Sequence, residues 1–280
     1  MTNDKCQMNV EIIKLVKQAL REDIGSGDIT TEAIVPKEQK AKAVIIAKEK
    51  GIITGLAVAK EVFRQVDRRI KFTAVVKDGA KVKKGKIIAK LSGPARGILT
   101  GERTALNFLQ QLSGVATLTS QFVSKVKGTR AKVLDTRKTT PGLRALEKYA
   151  VKAGGGVNHR LGLWDEILVK DNHIEAAEGI DKALKAIKGK KAFKVIEAGT
   201  LAQAKKAIMA RVDRILLDNM NLKTLRQAVK LCRKAKIKTE ASGGVNLKTV
   251  RAISKTGVDY ISVGALTHSA RALDISLIIL

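Results

Sequence analysis

The sequence of 280 residues predicts an α/β protein built on parallel strands, and three observations carry that prediction. From about residue 100, short apolar runs recur, each followed by polar residues and then by a stretch with helical apolar spacing. Several of those stretches open on capping residues and close on glycine. The first hundred residues differ in texture, with one helical pattern and β-prone runs separated by turn signals. Six or seven β–α units fit an α/β barrel, with a doubly wound open sheet as the structural alternative.

Residues 10–20 place Ile12, Ile13, Val16 and Leu20 on one helical face. Gly25-Ser26-Gly27-Asp28 is a turn, and residues 43–47, 71–76 and 86–91 are β-prone. Residues 78–85 carry two turn signals between strands. Their Gly-x-x-Val-x-x-Gly spacing is similar to that of biotinyl-type carrier hairpins, but no Met-flanked lysine occupies it, so the hairpin reads as structural. Thr100 is placed to cap a long helix containing Ala105, Phe108, Leu109, Leu112 and Val115. The later strands are Val133-Leu134, Ile167-Leu168-Val169, Val195-Ile196, Ile215-Leu216-Leu217, residues 237–241 and Tyr260-Ile261-Ser262-Val263, with a further one before Asn158. Thr140-Pro141 reads as an N-cap with proline at the first helical position. Thr200, Asn221 and Asn246 precede other helices, and Gly154 and Gly257 fit helix ends.

Lys and Arg number 54 against 26 Asp and Glu, a net charge of +28. Such a balance attracts anions, so weak nonspecific nucleic-acid binding is expected, whereas aromatics at 3% are poor material for base stacking. Many of the lysines are spread singly, as at Lys182, Lys185, Lys188 and Lys190, which suits a solvated surface. No run approaches the ~20 apolar residues of a membrane span, and the first thirty residues lack a signal-peptide apolar region. The two cysteines, Cys6 and Cys232, match no metal-ligand spacing. The expectation is a reduced, cytoplasmic chain.

The residues that follow the strands are chemically loaded. In a barrel, strand C-termini converge on one face, so these groups would share a pocket. Arg137, Lys138, Arg160 and Lys170 would hold a small multivalent anion, arginine engaging carboxylate or phosphate oxygens bidentately and lysine acting as a point charge. The blander alternative is a structural network with Glu197 and Asp218. Ser242-Gly243-Gly244 and the segment Ser262-Val263-Gly264-Ala265-Leu266-Thr267-His268 each follow a strand and precede a helix, an arrangement in which backbone N–H groups cradle phosphate. Glu197 and Asp218 end consecutive strands, where they could bind Mg²⁺, ribose hydroxyls or positive charge on a sugar ring. The three histidines, His159, His173 and His268, all lie in these segments, His173 reading as a support. No zinc spacing, nucleophile elbow or Walker A loop is present. Gly101-Glu102-Arg103-Thr104 would open the long helix, where the dipole disfavours a cation and Arg103 needs a compensating anion.

These segments, in this order, resemble the quinolinate phosphoribosyltransferases, also called carboxylating nicotinate-nucleotide pyrophosphorylases. The resemblance runs from Glu22-Asp23-Ile24-Gly25-Ser26-Gly27-Asp28 through Glu102-Arg103-Thr104-Ala105-Leu106-Asn107 to Gly264-Ala265-Leu266-Thr267-His268. Its most specific segments are Thr136-Arg137-Lys138-Thr139-Thr140-Pro141-Gly142 and Asn158-His159-Arg160, with Leu168-Val169-Lys170-Asp171-Asn172-His173 and Leu217-Asp218-Asn219 between. It implies an N-terminal α/β sandwich over residues 1–112, to which residues 266–280 return, and an open (incomplete) α/β barrel over 113–265. By the same resemblance, Arg103, Thr136, Arg137, Lys138, His159, Arg160 and Lys170 form the pocket for quinolinate and phosphate groups. Glu197 and Asp218 lie near the ribose and Mg²⁺, and Ser242, Gly243, Gly244, Val263, Gly264 and His268 near the 5′-phosphate. The implied reaction joins quinolinate to phosphoribosyl pyrophosphate with loss of carbon dioxide. Arg103 would reach the neighbouring subunit's site, implying a homodimer or a multiple of dimers. The chain departs from the family at Val195, where members often carry a second acid, and at Trp164, where a tyrosine is expected. The rivals are a paralogous transferase using nicotinate or associated with molybdenum transport, and a nucleic-acid-binding protein.

Overall fold

A computed structural model describes residues 10–280, and Cys6 lies outside them. The chain begins with α1 (Val10–Ile24), α2 (Ile29–Ile34), β1 (Lys40–Ala47), β2 (Gly51–Ile52), α3 (Leu56–Val66), β3 (Lys71–Ala74), β4 (Lys81–Val82), β5 (Ile87–Pro94) and α4 (Ala95–Val126). It continues with β6 (Lys132–Leu134), α5 (Arg144–Ala153), β7 (Ile167–Val169), α6 (Asp171–Ala176), α7 (Ile180–Ile187), β8 (Lys194–Ala198), α8 (Leu201–Met209), β9 (Arg214–Asp218) and α9 (Leu222–Lys234). Last come β10 (Lys238–Ser242), α10 (Val250–Ser254), β11 (Tyr260–Ser262), α11 (Ala265–His268) and β12 (Ile275–Ile279). Two compact units result. One takes the chain through Ser120, Pro141–Gly155 and Ala270–Leu280; the other takes Gln121–Thr140 and Gly156–Ser269. Pro141–Gly155, which contains α5, groups with the first unit.

The first unit is built on a four-stranded antiparallel sheet in the order β12-β1-β5-β3. β1 carries Val44-Ile45-Ile46, branched residues that suit a central strand, and pairs on both edges. α3 buries Val58, Val62 and Phe63, and Phe63 stacks on Phe72 of β3 with ring centroids 6.1 Å apart. α1 buries Ile12, Val16 and Leu20 along one face. The turn-rich hairpin is structural: Asp78 accepts hydrogen bonds from Leu56 N–H at 3.2 Å and from the Tyr149 hydroxyl at 2.8 Å.

Two helix starts differ from the sequence reading. α4 begins at Ala95, directly after Pro94, so Thr100 lies inside the helix and Arg103 about two turns in, away from the dipole end. The apolar face simply extends upstream, where Ile98 is fully buried. Thr140-Pro141 lies in a turn, because Gly142 at φ 79° interrupts helical geometry and α5 starts only at Arg144.

The second unit is an open α/β barrel. Its six strands are parallel and ordered β6-β11-β10-β9-β8-β7. The earliest strand thus lies beside the latest and the rest follow in sequence, which is the wrap of a barrel; a doubly wound sheet would reverse its order at an interior strand. On the other edge of β6, Val157 bridges Leu134, so the strand expected before Asn158 is reduced to a single bridge. No bridge joins Val157 to β7 among the described residues, and there the barrel stays open. Thr200 and Asn221 cap α8 and α9 by accepting from Gln203 N–H at 3.2 Å and Thr224 N–H at 2.9 Å. Asn246 instead caps a turn, accepting from Lys248 and Thr249 N–H, and α10 starts later.

Gly114 of α4 tests the return of the C-terminal segment. An added Cβ there would stand 2.2 Å from the Arg271 carbonyl oxygen. Gly114→Ala is expected to lower stability by about 2–3 kcal/mol in urea unfolding, and an unchanged midpoint would contradict that packing.

Candidate active site

Alternation along the barrel strands directs one set of residues inward, and their C-terminal ends open on a cavity of about 890 Å³. On β9, Leu216 and Asp218 face it; Glu240 and Ser242 do so on β10, and Ser262 on β11. The loops after the strands supply the rest. Thirteen of the residues expected at the site line this one cavity: Thr136, Arg137, Lys138, His159, Arg160, Lys170, Glu197, Asp218, Ser242, Gly243, Gly244, Gly264 and His268. Val263 does not join them, because its side chain is buried and its N–H donates to the Leu134 carbonyl at 2.9 Å. Arg103 belongs to the first unit and is exposed on α4. Val195 is buried in an apolar cluster with Leu168 and Leu216, so an acid there would face the barrel core. Trp164 is 80% exposed.

The loop after β6 is fixed by its own hydroxyls. Lys138 N–H donates to Thr136 Oγ1 at 3.0 Å, and Thr267 Oγ1 donates to the Lys138 carbonyl at 2.7 Å. Gly264 permits the approach of two side chains: a Cβ would stand 3.1 Å from Lys138 Cδ and 3.2 Å from His268 Nε2. Gly243 adopts φ 87°, and a Cβ there would fall 2.0 Å from Asn219 Oδ1, so only glycine fits. His173 also lines the cavity, and its Nδ1 accepts Lys170 N–H at 3.0 Å.

Two carboxylates share the cavity with the cations. Asp218 is held on both oxygens, accepting from Ser242 Oγ at 2.5 Å and from Asn219 Nδ2 at 2.6 Å. Glu197 lies 3.6 Å from Lys170 Nζ. Burial raises the Glu197 pKa above the ordinary glutamate range, Lys170 opposes that shift, and the charges of Asp218 and Asp171 add to it. A cation between Glu197 and Asp218 would relieve this repulsion. Among the described residues no group of three or more His, Cys, Asp or Glu is placed to hold a metal ion.

Arg160 is nearly buried, only 8% exposed, and its Nε finds no hydrogen-bond acceptor among the described residues. Its Nη1 donates to the Glu166 carbonyl at 3.0 Å. Burial, and then the neighbouring charge of Arg137, lower its pKa below that of an ordinary arginine. A buried guanidinium with an unused donor, beside a second cation, calls for an anion from outside.

Sequence reading missed the layer beneath. Glu166, Arg214 and the fully buried Glu240 form ion pairs around His159, with Arg214 Nη2 3.0 Å from Glu166 Oε1 and Arg214 Nε 2.9 Å from Glu240 Oε2. That second contact is an ion pair without hydrogen-bond alignment. Burial works against ionised Glu240, but a hydrogen bond from His159 and the charges of His159 and Arg214 outweigh it and hold its pKa low. The available signal was a charged residue at inward positions of apolar strands, Arg214 before Ile215 and Glu240 after Thr239.

Carbon-13 NMR titration of the free protein should find Glu197 ionising above the about 4.3 of a free glutamate. Lys170→Met should push that value higher and Asp218→Asn lower it; shifts of opposite sign would refute the electrostatic assignment.

Residues 28–113 match the quinolinate phosphoribosyl transferase N-terminal domain family, and residues 115–278 match the C-terminal domain family. The chain is 47% identical over 272 residues to a probable carboxylating nicotinate-nucleotide pyrophosphorylase of Bacillus subtilis, covering 96% of this chain and 93% of that protein. It is 43% identical over 289 residues to a decarboxylating quinolinate phosphoribosyltransferase of Nicotiana tabacum, covering 95% and 82% respectively. The solved nicotinate-nucleotide pyrophosphorylase of Francisella tularensis is similar over 100% of both chains, with 41% identity and a TM-score of 0.94. Matched in both domains and over nearly its whole length, the chain belongs to the quinolinate phosphoribosyltransferase family.

Proposed function

We propose that this pocket transfers the phosphoribosyl group of 5-phosphoribosyl 1-pyrophosphate to quinolinate and decarboxylates the product, giving nicotinate mononucleotide, pyrophosphate and carbon dioxide in NAD biosynthesis. The observation that carries this reading is the gathering of Arg137, Lys138, Arg160 and Lys170 in one cavity with glycine loops and paired carboxylates, Arg160 being buried with a donor to spare. A planar diacid supplies the anion those cations lack.

The two substrate carboxylates bind the Arg/Lys wall and align the ring nitrogen with C1 of the donor. Gly243, Gly244 and Gly264 hold the 5′-phosphate through backbone N–H groups. The nitrogen lone pair forms the bond to C1 while the C1–oxygen bond to pyrophosphate breaks. Glu197 and Asp218 stabilise positive charge on the ribosyl ring as it develops. These two residues would also hold Mg²⁺, which when bound neutralises charge on the leaving pyrophosphate. The ring nitrogen is now cationic. The bond to the adjacent carboxylate breaks, carbon dioxide leaves, and the electron pair left on the ring carbon is stabilised by that charge. Lys138, held by Thr267 and Thr136, donates the proton that completes the product. Cys232 takes no part; burial pushes its thiol up to about 11, and a free buried thiol suits the reducing cytoplasm in which we place the enzyme.

Incubation with quinolinate, phosphoribosyl pyrophosphate and Mg²⁺ should yield nicotinate mononucleotide and carbon dioxide in equal amounts. Turnover of nicotinate but not quinolinate would assign the chain to a paralogous activity. Lys138→Ala should abolish turnover and leave the unfolding midpoint unchanged; near-wild-type rates would remove Lys138 from the chemistry.

Arg103 of each subunit completes the site of its partner in a homodimer, and complementation tests this. Arg103→Ala and Lys138→Ala should each be inactive alone. Co-expressed, they should recover about a quarter of wild-type activity, because half the dimers are mixed and each mixed dimer keeps one intact site. No recovery would place Arg103 in its own subunit's site or outside catalysis.

A further inference from the structure

We propose that Arg214, which does not line the pocket, is the positioning residue for its diacid-binding wall, acting through Glu166 on Arg160 and His159. The inference rests on the quinolinate reading above.

On β9, Arg214, Leu216 and Asp218 share one face of the strand, and Leu216 and Asp218 line the cavity. Arg214 therefore sits one layer deeper, where a barrel ordinarily packs branched apolar side chains. Its guanidinium is fixed from several sides. Nη2 donates to both oxygens of Glu166 at 3.0 and 3.1 Å, and Nε faces Glu240 Oε2 at 2.9 Å. The rings of Phe193 and Tyr260 lie 5.2 and 5.5 Å from its central carbon.

Glu166 passes this order upward. Its backbone carbonyl accepts from Arg160 Nη1 at 3.0 Å, and its carboxylate lies 3.1 Å from His159 Nδ1. The other edge of the His159 ring faces Glu240 at 3.3 Å, and Glu240 also accepts from Ser262 Oγ. His159 thus stands between two carboxylates, and Arg214 is paired with both. The segment carrying His159 and Arg160 crosses the open side of the barrel, where no strand pairing fixes it between Val157 and β7. Among its fastenings are Asp135, which accepts His159 N–H at 2.8 Å, Asp165, which accepts Leu161 N–H at 2.8 Å, His159 Nδ1, which accepts Arg160 N–H at 2.8 Å, and the contacts to Glu166 held by Arg214.

A second consequence is electrostatic. Glu240 lines the cavity that must accept a dianion, Glu166 shares its Arg214 partner, and a carboxylate pair left without Arg214 would repel the substrate. Buried ion networks of this kind add little stability over apolar packing. What this one supplies is placement of two substrate-binding groups and cancellation of charge under the substrate.

Steady-state kinetics with each substrate varied in turn separates this role from a structural one. Arg214→Met should raise KM for quinolinate about ten- to a hundredfold and leave KM for phosphoribosyl pyrophosphate within about threefold. Arg214→Lys keeps a charge but not the planar fork, so it should fold and show a smaller rise confined to quinolinate. Should the methionine variant fail to fold, the lysine variant decides the matter. A quinolinate KM within about twofold of wild type, or equal rises for both substrates, overturns the proposal. Wild-type protein that fails to turn over quinolinate would instead overturn the reading on which the proposal rests.

Discussion

The pairing of β11 with β6 sets the last parallel strand of the second unit beside its first, and the site depends on that adjacency. It brings the loop after β6, carrying Thr136, Arg137 and Lys138, beside the loop after β11, where Gly264 makes room for Lys138 and Thr267 bonds its carbonyl. It also places Ser262 of β11 against Glu240 of β10. Because all strands are parallel, their chemically loaded ends necessarily share one face.

Charge is layered from that face inward. At the mouth, cations and the Glu197–Asp218 pair share the cavity. Leu168 and Leu216 line it as well and pack with the buried Val195, while one layer deeper on β9 Arg214 is neutralised by Glu166 and Glu240. Val195 belongs to this scheme, since its side chain is part of the buried core. The raised pKa of Glu197 and the low pKa of Glu240 follow from the same geometry. Glu197 has one cation at 3.6 Å and like charges nearby, whereas Glu240 has a histidine and an arginine within hydrogen-bond range.

The pocket uses only a few of the 54 basic residues. Much of the remainder lies on outer helices. α9 contains Lys223, Arg226, Lys230, Arg233 and Lys234 and no acid, and α8 likewise has lysines without a carboxylate of its own. A net charge of +28 draws anionic substrates toward the molecule from any direction, but the local wall decides which one is held.

Alternating apolar runs, capping residues such as Thr200 and Asn221, and the polar groups after each strand determined the α/β class and most of the cavity lining. These signals are local, written within a few residues of the element they specify. The start of α4 escaped because Thr100 is a good cap in isolation, while burial of Ile98 carries the helix back to Pro94. Val263 was misplaced because its N–H belongs to the ladder with β6, a partner far off in sequence. The Arg214 network was illegible for the same reason, since Glu166, Arg214 and Glu240 come from three separate segments, each unremarkable alone. The sequence by itself determined which groups stand at the strand ends. Only the tertiary structure decided which of them touch, because the pairing of β11 with β6 joins residues more than a hundred positions apart and the Arg214 ion pairs join three separate segments.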